Sequence, residues 1–166
     1  MNGILPALSV LVAVLATGIP WGLPADATLI PPMVVVMMVF CWRALPGTVF
    51  PAFLALLLGL LTDLMSGGPL GFWALMALIA AHIGGRTAPL ASSQDRNRLW
   101  LVWAGVAVLV GALTWLLASL FLVRLLDLWP IAFGTLVSIL IFPLVLRGLV
   151  LLKGGAPKPK FYRGWT

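Results

Sequence analysis

The stretch LWLVWAGVAVLVGALTWLLASLFLV, Leu99 to Val123, decides the fold. It exceeds the ~20 apolar residues that cross the ~30 Å hydrocarbon core of a bilayer and carries no charge, so it reads as a membrane-spanning helix. Downstream, Arg124 and Asp127 mark a short loop, and Trp129 to Leu152 is a second long apolar run before a tail, Lys153 to Thr166. Upstream, Arg86 to Arg98 is the only long polar segment, with Ser92, Ser93, Gln94 and Asp95 at its centre. It reads as a loop in water and not as a domain.

Four shorter apolar runs precede that loop. The first spans about Ile4 to Pro20 and is expected to be a permanent helix, because no Lys or Arg precedes it and no small-residue cleavage site follows before Gly18. Pro20, Gly22 and Pro24 end it, and Asp26 marks water. The second run, Leu29 to Trp42, tolerates Pro31 and Pro32 only in a first turn and is short for a bilayer. It must thin the membrane, borrow Ala25 to Thr28, or sit partly inside the protein. A turn at Arg43, Pro46 and Gly47 leads to a third run, Val49 to Met65. Ser66-Gly-Gly-Pro69 then folds it tightly against a fourth, from about Leu70 to Gly84, where Ala77 and Ala81 let a neighbouring backbone come close.

The predicted architecture is therefore all-α: a six-helix transmembrane bundle over residues 1–152, with helices at about 4–20, 29–42, 49–65, 70–84, 99–123 and 129–152, and a basic tail over 153–166. Composition agrees, since 63% of the 166 residues are hydrophobic and 8% charged, with a mean hydropathy of +1.17, against about 25% charged in soluble domains. The net charge of +6 is read as a topology signal rather than as nucleic-acid binding. Arg43, Arg86, Arg96, Arg98, Lys153, Lys158, Lys160 and Arg163 fall on one side and Arg124 on the other, which places both termini on the cytoplasmic side. Arg147 can snorkel to the same surface. Trp21, Trp42, Trp73, Trp100, Trp103 and Trp129 stand near predicted helix ends, as interfacial anchors do, whereas Trp115 falls at mid-membrane and needs a partner for its N–H. Cys41, the lone cysteine, is lipid-facing or packed.

Catalytic constellations are missing from the sequence. There is no glutamate, one histidine and one cysteine, so neither a metal-ligand set nor a Cys-His or Ser-His-Asp arrangement can be assembled. The chain is expected to be no enzyme and to hold no cofactor or metal. Its informative residue is Asp63, the only acid within an apolar run. A carboxylate at the bilayer centre costs on the order of 2.5 to 3.5 kcal/mol, and the last turn of a helix disfavours negative charge further. Compensation is expected from the Ser66 hydroxyl and the N–H groups of Gly67 and Gly68, with Pro69 in the first turn of the next helix. Asp63 then clamps helices three and four; an intramembrane proton or substrate site and a contact to a partner protein are the other readings. His82, about 16 Å further along helix four, is read as interfacial. Arg124 and Asp127 mark an interface, and Arg43, Lys158, Lys160 and Arg163 are candidates for contacts with anionic lipid or a partner.

The stretch Gly59-Leu-Leu-Thr-Asp63-Leu-Met-Ser-Gly-Gly-Pro-Leu-Gly71 resembles the rod shape-determining protein MreD family, whose motif has the form G-L-x-x-D-L-x-S-G-G-P-L-G. Cys41-Trp42-Arg43 followed by Pro46-Gly47 is similar to a second segment of that family, with cysteine where tyrosine is common. The resemblance implies a non-enzymatic scaffold subunit of the bacterial cell-wall elongation complex. Its implied partners are MreC first, then MreB, RodA and a penicillin-binding transpeptidase. Asp63, Ser66, Gly67, Gly68, Pro69 and Gly71 would form the structural or partner motif. The family is also similar in fold to the substrate-binding membrane subunits of energy-coupling-factor vitamin transporters, which supplies the rival function. Those subunits dock through Ala-x-x-x-Ala in the first helix, whereas here Ala77 and Ala81 lie in the fourth and Ala13 and Ala16 are wrongly spaced.

Overall fold

A computed structural model describes residues 3–19, 22, 30–67, 69–89, 96–121, 123, 125 and 127–154. They form helices α1 (Ile4–Thr17), α2 (Ile30–Ala44), α3 (Ala52–Ser66), α4 (Phe72–Arg86), α5 (Arg96–Phe121) and α6 (Trp129–Leu152), with no strand among the described residues. The order and number match the six predicted runs. The bounds shift because local chemistry sets them: Gly18 caps α1 before Pro20 is reached, α4 begins two residues after Leu70, and α5 takes Arg96, Asn97 and Arg98 from the polar loop into its first turn. Two helices, α5 and α6, are long and apolar enough to cross a membrane; the other four have 14 or 15 residues.

The centre of the fold is α2. Ten of its fifteen residues are buried, from Pro32 to Ala44, and they point in every direction around the helix. It packs on α1, α3, α4 and α6. At 1.5 Å per residue the helix is only about 22 Å long, and of the three ways to accommodate so short a run the structure shows enclosure within the protein. Pro31 and Pro32 fall at its second and third positions, where a missing N–H costs nothing. Ala25 to Thr28 lie outside the described residues.

Aromatic side chains knit α2 to its neighbours. Phe40 sits 5.2 Å from Trp103 of α5 and 6.1 Å from Phe142 of α6, and Trp103 stacks on Phe142 at 5.8 Å. The Trp42 indole N–H donates to Ser9 Oγ of α1 at 2.8 Å. Trp42, Trp73 and Trp103 are thus core residues, buried to 4% exposure or less, and not interfacial anchors. The direction a side chain faces decides this, since Trp103 of the long helix α5 turns inward onto Phe40 and Phe142, so nearness to a helix end does not imply nearness to lipid. Trp100 and Trp129 remain exposed, Trp115 lines a groove between α5 and α6, and Trp21 lies outside the described residues. Cys41 is fully buried.

In α6 the sequence sets a local problem that α5 solves. Pro143 has no N–H, so the carbonyl of Ile139, four residues earlier, loses its helical partner. The Trp100 indole N–H donates to that oxygen at 2.9 Å, and Trp103 donates to the adjacent Ser138 carbonyl at 3.4 Å. Exposed faces of both long helices are apolar: Leu101, Val108, Leu116 and Leu120 on α5, and Leu136, Leu140, Leu144 and Leu151 on α6.

Candidate functional site

The α3–α4 hairpin is built on one face of α3. Gly59, Thr62, Asp63 and Ser66 recur at helical spacing, and of these Gly59 and Asp63 meet α4, the helix with which α3 packs most closely. A β-carbon at Gly59 would lie 2.4 Å from Ala74 Cα and 2.9 Å from its nitrogen, so only glycine lets the two backbones meet there. One turn on, Asp63 is 1% exposed. Helix α3 ends at Gly67, whose left-handed backbone (φ 68°) returns its N–H to the Asp63 carbonyl at 3.1 Å. Gly71, also left-handed (φ 93°), starts α4 and has no side chain with which to cap it.

Asp63 supplies the missing cap from the neighbouring helix. Its Oδ2 accepts the N–H of Gly71 at 2.9 Å and of Ala74 at 3.4 Å, and its Oδ1 accepts that of Trp73 at 2.7 Å. The remaining leading donors are also matched: Phe72 N–H reaches the Pro69 carbonyl and Leu75 N–H the Gly71 carbonyl. Every N–H that the start of α4 leaves without a helical partner is accounted for. The carboxylate also meets the positive end of the α4 dipole, worth roughly +0.5 of a charge, which offsets its unfavourable place at the end of α3.

This geometry corrects the expected donors. The Ser66 hydroxyl turns back to the Thr62 carbonyl at 2.8 Å, Thr62 Oγ1 donates to the Leu58 carbonyl at 2.8 Å, and Gly67 N–H belongs to its own helix end. Pro69 stands before the cap and not within the first turn of α4. Gly68 lies outside the described residues, as do Arg124 and the tail residues Lys158, Lys160 and Arg163. Asp127 accepts the Trp129 N–H at 3.1 Å. Chemically, a buried carboxylate held by three backbone donors can lock a helix crossing.

The opposite end of the hairpin is organised by cations. Arg43, in the last turn of α2, donates from Nε to the Ala81 carbonyl at 3.2 Å and from Nη1 to the Phe50 carbonyl at 2.9 Å. Nearby, a β-carbon at Gly84 would stand 2.6 Å from the Phe40 carbonyl, so α2 and α4 touch backbone to backbone there. Lys153, beyond the end of α6, donates to the Pro46 carbonyl, and partial burial lowers its ammonium below the ordinary value. His82 is exposed on α4, and Ala77 and Ala81 are buried within the bundle.

The sequence alone missed Gly59, Trp73 and Ala74 as parts of the clamp. A signal for Gly59 was present: a residue without a side chain, one helical turn before the lone acid and on the same face. Nothing marked Trp73 and Ala74, which act through their backbone. Compared with protein-family models, curated proteins and solved structures, the chain matches none of them.

Proposed function

We propose that this chain is a six-crossing protein of a bacterial inner membrane and a non-catalytic scaffold of the cell-wall elongation complex, with the bitopic protein MreC as its direct partner. One observation carries the reading. The motif Gly59 to Gly71, on which the resemblance to the MreD family rests, holds a helical hairpin whose buried acid accepts three backbone N–H groups from the start of α4. Such a residue fits architecture better than turnover. The apolar faces of α5 and α6 fit a lipid surround, and the short helices α1 to α4 fit a locally thinned bilayer around an enclosed α2. MreB, RodA and a penicillin-binding transpeptidase are the further partners on this reading. The transporter-subunit rival gains nothing from Ala77 and Ala81, since both are buried and cannot form an external docking ridge.

Affinity purification from native membranes tests the proposal. Recovery of MreC is the expected result. Recovery of an energy-coupling ATPase module, with a vitamin-like ligand held at near-stoichiometric level, would overturn it in favour of the transporter reading.

A further inference from the structure

Beside the start of α3 and the last two turns of α4 lies a cleft of about 490 Å³, within the roughly 300–1,000 Å³ typical of ligand sites. Its walls are Ala52, Leu78, Ile79 and Ile83, and its polar groups are Arg43 and His82. Arg43 is half-buried, and among the described residues two of its five N–H donors are used, on Ala81 and Phe50. Neither described carboxylate reaches it: Asp63 is bound to the far end of α4 and Asp127 caps α6. His82 makes no hydrogen bond among the described residues. Arg86 follows His82 by one turn on the same side of α4, and α3 begins alongside without a side-chain cap. A half-buried cation is ordinarily paired, and among the described residues its charge is met by carbonyl dipoles. The complementary ligand is an anion that also brings apolar substance, because the walls themselves are apolar and Phe53, next to Ala52 in the chain, and Leu75, one turn before Leu78 and Ile79, are exposed.

We infer that this cleft binds one anionic phospholipid, its phosphate held by Arg43 and His82 and the upper part of an acyl chain laid along Leu78, Ile79 and Ile83. A soluble phosphate would leave those walls unused. The inference rests on the membrane reading given above, not on the identity of the protein partner.

Native mass spectrometry of the full chain, extracted in mild detergent and exposed to phosphatidylglycerol or phosphatidylcholine, tests it. The wild type is expected to retain one phosphatidylglycerol per chain in preference to phosphatidylcholine. Replacing His82→Ala, or filling the cleft by Ala52→Trp, is expected to lower that retention by about fivefold or more; both positions are exposed and compatible with folding. Arg147→Gln, which removes a cation from a different exposed site on α6, is expected to leave it unchanged. Equal retention of the two lipids, an equal loss in Arg147→Gln, or displacement by inorganic phosphate at the same concentration as the lipid would each overturn the inference. A chain that stays soluble without detergent would instead defeat the membrane reading, so the two failures are distinct.

Discussion

Truncating Asp63 to alanine strands the N–H groups of Gly71, Trp73 and Ala74 at the buried start of α4. With each unsatisfied donor costing about 1–3 kcal/mol, the loss is expected to reach about 3 kcal/mol or more. Asp63→Asn keeps the shape but turns an NH2 group toward backbone donors, so it should recover only a minor part of that loss. Unfolding titrations of the purified protein in mixed micelles check both, and wild-type stability in Asp63→Ala would eliminate the clamp. Gly59→Ala is expected to destabilise by about 1–3 kcal/mol in the same assay, because its β-carbon meets Ala74 backbone and not a side chain that can move aside. That Asp63 needed compensation was legible in the sequence, since a single acid among leucines has to be satisfied. Its donors were not. They depend on where α4 begins, and Ser-Gly-Gly-Pro-Leu-Gly allows several starts; the choice is made by left-handed Gly67 and Gly71.

At the scale of elements, α6 and α5 share a defect and its repair. Trp100→Phe removes the donor that serves the Ile139 carbonyl and is expected to cost about 1 kcal/mol. In a Pro143→Ala background residue 143 can donate to that carbonyl itself, so the same change should cost much less. A double-mutant cycle with a coupling below about 0.5 kcal/mol would remove the link. The helices themselves were readable from hydrophobic runs and from Pro and Gly between them. What could not be read was which tryptophans are enclosed. Trp42 and Trp103 differ from Trp100 only in the direction they face, and that direction follows from packing around α2.

For the whole molecule, a protein whose core is its second helix should shield Cys41, which is fully buried. Maleimide is expected to leave Cys41 unmodified in the folded protein and to label it on denaturation; rapid labelling in native membranes would contradict the enclosed α2. On the six-crossing reading, cysteines introduced into a Cys41→Ala chain at Gly67 and at Gly154 should react from opposite sides of sealed vesicles. Labelling of both from one side would rule that topology out. That the chain is helical and strongly apolar was plain from composition, whereas the centrality of α2 was hidden, because a short apolar run looks alike whether it is wrapped by protein or by lipid.

The donors for Asp63 lie eight to eleven residues downstream of it, and this has a consequence for biogenesis. While the chain is being synthesised, α3 exists for a time with its carboxylate unmatched, and it gains its partners only when the start of α4 has emerged. On the six-crossing reading, insertion of α3 alone is therefore disfavoured, and the two helices should enter the bilayer together as a preformed pair.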